Sequence, residues 1–163
     1  MDDLQRMLDE AAIQRVLVRY CRGVDRGDEE LIASVYWPDA TDDHGVYHGS
    51  GPGFAPYVVK ALRAHALATT HLIANVSIEL SGATAHVESY TLARHKVRRA
   101  EGLGLETFAG RYIDRFEKRS GEWRIQHRQV VHDWSKLEPI AAEYPHEAFE
   151  SGQRSRDDAS YRR

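Results

Sequence analysis

Two residues suited to proton transfer lie at the ends of two predicted elements. Asp25 ends an amphipathic helix, and His71 begins an alternating strand. A carboxylate that accepts a hydrogen bond from one imidazole nitrogen leaves the other nitrogen as a base. Each residue also fits a solvent-exposed role. However, an acid in the last helical turn faces the negative end of the helix dipole, so a partner such as a histidine is expected to hold it there.

Other side chains could assist such a base. Tyr20 lies on the apolar stripe of the same helix and could be a core residue or a catalytic acid. In either role, a buried phenol needs a hydrogen-bond partner. Asn75 shares a strand face with His71 and could contact a ligand or solvent. Three further candidates for acid–base catalysis or ligand contact lie on the long strands: His95, Tyr112 and His132. A single histidine on a sheet is, however, often structural.

Motifs for metals and cofactors are absent from the sequence. His44 and His48 are four residues apart, with Asp42 and Asp43 close by, but this spacing matches no tight ligand pattern. Neither a phosphate-binding G-x-x-x-x-G-K-[ST] loop nor a G-x-S-x-G nucleophile elbow occurs. We therefore predict no metal and no cofactor.

Composition limits the class of protein. The chain has 163 residues, of which 42% are hydrophobic and 29% charged, as in an ordinary globular domain. The net charge of -3 gives no electrostatic reason to expect nucleic acid as a partner. No apolar run is long enough for a membrane span, and the acidic N-terminus is unlike a secretory signal. The single cysteine, Cys21, favours a reducing cytoplasm.

The elements that must position these residues follow from hydrophobic periodicity. We expect a long helix, a second helix that starts after Asp28, carries Leu31 to Tyr36 and stops before Pro38, a short hairpin, a third helix and four long strands with a loose loop at 98–104. This order predicts an α+β fold: a curved antiparallel sheet, or half barrel, with three N-terminal helices that close an apolar pocket. Residues 1–138 would form the domain and 139–163 a partly disordered tail. The predicted long elements are Leu4–Asp25, Thr70–Leu80, Ala83–Val97, Leu105–Lys118 and Trp123–Trp134.

Alternate residues from Leu72 to Leu80 are all apolar and would form one uniform strand face. One layer of helices covers only one side of a sheet, so this face needs another cover. A second subunit is the simplest cover, and we expect a homo-oligomer.

Three segments resemble the SnoaL-like branch of the nuclear transport factor 2-like superfamily: 20–28, Thr70-His71, and 111–118 with the following Gly-Glu-Trp at 121–123. The resemblance covers roughly Leu4 to Leu137. It implies a cone-shaped α+β barrel with a deep apolar pocket, assembled as a trimer or dimer, with the trimer favoured. Within the branch, the chain is most similar to the group of scytalone dehydratase, bile acid 7α-dehydratase and hexachlorocyclohexane dehydrochlorinase.

The resemblance also implies roles for individual residues. Asp25 and His71 match the Asp–His dyad of that group, and Tyr20 matches a helix tyrosine of the bile acid enzyme. His95 and Tyr112 lie about where scytalone dehydratase has a second histidine and a polar ligand contact. By counting from Trp123, His132 falls where the bile acid enzyme has an arginine, a departure that implies a different substrate.

The predicted activity is a cofactor-independent β-elimination from a small cyclic, mainly apolar substrate. In this hypothesis, Asp25 orients His71, His71 removes a proton from carbon, and Tyr20, His95 or His132 acts as the acid. An isomerase, an aldol-type cyclase or a carbon–carbon lyase would begin with the same proton transfer. A non-catalytic protein that binds hydrophobic ligands is the remaining alternative.

Overall fold

The computed structural model describes residues 2–145 and 147–162. The helices are α1 (Asp3–Arg26), α2 (Glu29–Ser34) and α3 (Gly51–His65), and the strands are β1 (Tyr36–Asp43), β2 (His48–Ser50), β3 (Ala66–Ser81), β4 (Thr84–Arg99), β5 (Gly102–Arg119) and β6 (Glu122–Ile140), followed by a short 3-10 helix (Ala159–Tyr161).

The six strands form one curved, unclosed sheet in the order β2-β1-β6-β5-β4-β3. β3 to β6 pair antiparallel in sequence order, whereas β1 runs parallel to β6. The three helices pack on the concave face. The predicted α+β half barrel with helices closing an apolar pocket is therefore confirmed.

Helix α1 sets the geometry of the pocket. The Asp2 side chain caps its first turn by accepting from the Gln5 backbone N–H at 2.7 Å, and Gly27 ends it in the left-handed conformation with φ 61°. Its buried face carries both Tyr20 and Asp25. At 1.5 Å rise per residue, these two lie about 7.5 Å apart along the helix axis.

Three predicted boundaries are wrong. Strand β3 begins at Ala66, so His71 lies inside it and not at its start. Helix α2 stops at Ser34 and Tyr36 begins β1, which also contains Pro38. The register of β1 against β6 shifts between Tyr36 and Thr41, and such irregular stretches tolerate the missing proline N–H. The loose loop expected at 98–104 is a tight turn, because β4 and β5 remain paired as far as Arg99 and Gly102.

The predicted uniform apolar face of β3 is also wrong, because a β-bulge lies in the middle of the strand. The pairing with β4 shifts between Ala74 and Ser77, and Asn75 has φ 47°. One extra residue moves the following side chains to the other face. Val76 and the alternate residues beyond it therefore pack on the core, whereas Leu72 is 53% exposed on the outer face.

Residues beyond β6 return to the helices. The Tyr161 phenol donates to Asp28 Oδ2 at 2.8 Å, and the Arg154 guanidinium donates to the Leu62 carbonyl at 2.9 Å. β6 extends to Ile140, past the boundary expected at 138, and partial disorder of the tail stays a prediction. Within 2–145 and 147–162, the helices are too short or too polar to cross a membrane.

Candidate active site

A cavity of about 290 Å³ lies between the helices and the concave face of the sheet. Most of its wall is apolar or aromatic, and the polar side chains that reach it are histidines and tyrosines. Its lining residues are Tyr20, Val24, His44, Val46, Phe54, Val58, Leu62, His71, Ala93, His95, Phe108, Tyr112 and Val130.

Asp25 and His71 are in direct contact at this cavity. His71 Nδ1 lies 2.7 Å from Asp25 Oδ1, and the two side chains are 8% and 12% exposed. The same carboxylate accepts the His71 backbone N–H at 2.9 Å and the Thr69 hydroxyl at 2.9 Å. These three donors offset the unfavourable position of an acid at the end of α1. Because Nδ1 faces a carboxylate, it carries the proton and Nε2 is the nitrogen that can act as a base.

His95 stands beside this pair. Its ring centroid is 5.6 Å from that of His71, and its buried Nε2 has no hydrogen-bond partner within the described residues. Burial lowers the pKa of His95 to about 4, and the neighbouring His71 is the second cause of this decrease. A neutral ring with an unpaired nitrogen is suited to a hydrogen bond with a ligand.

The pH dependence of stability should report this burial of His95. The pKa of His95 falls from 6.5 to about 4 on folding, so between these values only the unfolded chain is protonated there. The free energy of unfolding should therefore decrease as the pH is lowered through this range. The free energy of unfolding, measured by urea denaturation and plotted against pH, should change less steeply for His95→Gln than for the wild type. His86→Gln, an exposed change on the same strand, should leave the slope unchanged. Equal slopes for all three proteins would contradict the prediction.

Tyr20 and Tyr112 also line the cavity, and a buried arginine that was not among the predicted site residues packs against both rings. The Arg128 guanidinium is 4.2 Å from the Tyr20 ring centroid and 4.1 Å from that of Tyr112. It forms two 2.7 Å hydrogen bonds to Asp114, and both side chains are 0% exposed. Burial raises the pKa of both phenols. Arg128 is two residues from Val130, which lines the cavity, so strand alternation could have predicted from the sequence that Arg128 faces inward.

A second Asp–His pair was also missed. His44 Nδ1 contacts Asp42 Oδ1, and His44 Nε2 lies 3.1 Å from the Tyr20 hydroxyl. The Tyr36 hydroxyl donates to the other Asp42 oxygen at 2.6 Å. In the sequence, Asp42 and His44 suggest only a metal site together with His48, for which the spacing matches no tight ligand pattern. His48 instead pairs with Asp43 at 3.0 Å on the surface, so the two histidines do not converge.

Two predicted site residues lie outside the cavity. Asn75, displaced by the bulge, is exposed on the outer face of the sheet beside Leu72. His132 is exposed and does not line the cavity; its ring is tilted by 53° against that of Phe108, with centroids 5.4 Å apart. The structure therefore brings together Tyr20, Asp25, His71, His95 and Tyr112, but not Asn75 or His132.

Comparison with solved structures supports the fold. LinA is 25% identical to this chain with a TM-score of 0.76, and the match covers 90% of this chain and 99% of LinA. Hexachlorocyclohexane dehydrochlorinase LinA-type3 from Novosphingobium barchaimii is 24% identical with a TM-score of 0.78, covering 89% of this chain and 100% of its own. A scytalone dehydratase-like protein from Novosphingobium aromaticivorans is 21% identical with a TM-score of 0.71, and the match covers 89% of this chain and 97% of that protein.

No curated protein sequence matches the chain significantly. The family comparison is decisive, because the model of the SnoaL-like domain matches residues 5–129, most of the chain. This match agrees with the fold and confirms the resemblance seen in the sequence. The chain belongs to the SnoaL-like domain family.

Proposed function

We propose that this protein is a cofactor-independent lyase that performs β-elimination on a small cyclic, mainly apolar substrate. The observation that carries the proposal is the 2.7 Å contact between Asp25 Oδ1 and His71 Nδ1 at the wall of an apolar cavity. Two of the structural neighbours are described as a dehydrochlorinase and a scytalone dehydratase-like protein, and both names denote elimination reactions.

The chemistry follows from the free nitrogen of His71. Nε2 takes a proton from a substrate carbon, and the electron pair of that C–H bond forms the new double bond as the leaving group departs from the adjacent carbon. Asp25 stabilises the imidazolium that forms, because its carboxylate remains ionised beside Nδ1. The apolar walls exclude water, so these charges interact more strongly than they would in solvent.

Tyr20 and His95 are the groups placed to contact the substrate oxygen or the leaving group. Both line the cavity, and His95 is next to His71. Arg128 stays behind the tyrosine rings, where its charge favours negative charge that develops on the substrate.

The proposal is tested by incubating the protein with a panel of cyclic β-hydroxy ketones and β-halo ring compounds and measuring product masses. Elimination predicts products lighter by one water or one hydrogen halide. Products of unchanged mass would identify an isomerase, which starts with the same proton transfer. Specific binding of panel compounds without any turnover would identify a ligand-binding protein and overturn the proposal.

We further propose that the protein is a homo-oligomer, with the trimer favoured, located in the cytoplasm. The outer face of the sheet leaves Leu72, Tyr90 and Trp134 about half exposed, at 53%, 46% and 53%. Neighbouring apolar side chains of this size favour burial against another subunit. The free and buried thiol of Cys21 supports a reducing compartment.

A further inference from the structure

The cavity has two Asp–His pairs, and the proposed elimination uses only one of them. His71 is on β3, at one edge of the sheet, whereas His44 follows β1, near the opposite edge. The curvature of the sheet brings both histidines to the same cavity. Helix α1 lies between them and contacts each, through Asp25 and through Tyr20.

We infer that Asp42, His44 and Tyr20 form a second proton-accepting site, which takes the proton of an acidic hydroxyl group carried by the ring of the substrate. This inference rests on the proposed function, because it concerns the same cavity, and it narrows the substrate to a ring bearing a phenol or enol. A fully halogenated or purely hydrocarbon ring would leave this site unused.

The direction of the hydrogen bonds supports a proton acceptor. An ionised Asp42 can only accept, so the contacting His44 Nδ1 carries a proton and donates it, as the Tyr36 hydroxyl does. His44 Nε2 then has a lone pair and accepts the Tyr20 O–H at 3.1 Å. This leaves the Tyr20 oxygen free to accept a hydrogen bond from a substrate hydroxyl. The arrangement has the order hydroxyl, imidazole, carboxylate that activates oxygen nucleophiles in other enzymes.

The proton transfer is balanced within these groups. The O–H bond of the substrate breaks, its proton passes to the Tyr20 oxygen, and the Tyr20 proton passes to His44 Nε2. The electron pair stays on the substrate oxygen as a phenolate or enolate. His44 becomes an imidazolium held by Asp42. The resulting electron-rich ring assists departure of a leaving group conjugated with it, while His71 removes the carbon-bound proton.

The surroundings of His44 favour this ionisation only when a substrate is present. Burial lowers the pKa of His44, so the empty site holds a neutral ring. Arg128 opposes a charged imidazole, but it also attracts the substrate anion that forms at the same time. The ring of His44 is fixed by stacking on Phe54, with centroids 3.9 Å apart. The charged and titratable groups that face His44 are Tyr20 from α1, Asp42 from β1, Tyr112 and Asp114 from β5 and Arg128 from β6.

The test uses 4-nitrophenol, which changes colour on ionisation and titrates near neutral pH, added to the full-length protein below that pH. We expect the bound dye to show at least a tenfold higher phenolate-to-phenol ratio than the free dye, a shift of about one pKa unit. Asp42→Asn keeps the shape of the site and should abolish the shift. Binding of 4-nitroanisole, which has no hydroxyl proton, should be the same in the wild type and in Asp42→Asn.

Asp25→Asn is the matched control in the first pair and should retain the colour shift, even though it impairs elimination. Failure of the elimination assay with a normal colour shift would therefore refute the proposed reaction and leave the second site supported. Three results would overturn the second site: a bound dye that stays neutral, no binding of the dye, or an unchanged shift in folded Asp42→Asn. If Asp42→Asn fails to fold, nitrogen-15 NMR of the wild type decides, because a proton on His44 Nε2 instead of Nδ1 would exclude acceptance from Tyr20.

Discussion

His71→Asn is expected to lower kcat/KM by about 10²–10⁴-fold, the usual contribution of a positioned general base. The side chain of asparagine still fills part of the site but cannot take a proton from carbon. Asp25→Asn should cause a loss of similar size for a different reason. Its amide can donate to Nδ1, which moves the ring proton to Nε2 and removes the base. Both are measured by steady-state kinetics on the substrate found in the product-mass screen.

The matched control for this prediction is His86→Asn, which changes an exposed histidine on β4 outside the cavity lining. It should leave kcat/KM within a factor of about two, since exposed substitutions away from a site have small effects. Circular dichroism should show that all three variants are folded. If folded His71→Asn retained the wild-type rate, the Asp25–His71 pair could not be the base.

Asp114→Ala is expected to lower the free energy of unfolding by about 3–5 kcal/mol, because it leaves a buried guanidinium without a counter-charge. Arg128 is 0% exposed and has no described carboxylate partner other than Asp114. It also packs against two tyrosine rings that line the cavity, so it cannot reach water there without displacing the wall. Urea denaturation at neutral pH measures the loss.

Two further variants make this stability prediction specific. Glu138→Gln breaks an ion pair between Glu138 and Lys136, whose side chains are 40% and 60% exposed, and it should leave the urea midpoint almost unchanged. The double variant Asp114→Leu with Arg128→Met should recover most of the loss, because apolar side chains often replace a buried ion pair without penalty. A loss below about 1 kcal/mol for Asp114→Ala would show that Arg128 finds another partner or solvent.

The sequence predicts the fold well where periodicity is strong. The apolar stripe of α1 and the alternation of the four long strands identify elements that tertiary packing does not override. Local pattern fails where one residue changes the pairing of strands. Asn75 is compatible with a regular strand, yet it forms a bulge that moves Val76 and the alternate residues after it to the core face, away from the face of Leu72. Pro38 looked like a helix stop but lies inside a strand.

The candidate site is predicted only in part, because charge pairing depends on strand register. Asp25 and His71 were found because each was predicted at the end of a recognisable element, although only Asp25 lies at an end in the structure. Asp114 and Arg128 are directly opposite each other on β5 and β6, and no local pattern in either strand shows that pairing. Asp42 and His44 are close in sequence, but their orientation depends on Tyr20 from a distant helix.

Helix α1 supplies a residue to each Asp–His pair, Asp25 to one and Tyr20 to the other. Any sliding or rotation of this helix would therefore disturb the contacts of both pairs together. A change of cavity size among related proteins cannot be made by shifting α1 without loss of these contacts. Diversification should instead occur through the aliphatic wall that α3 and the turn between β1 and β2 contribute, namely Val46, Val58 and Leu62.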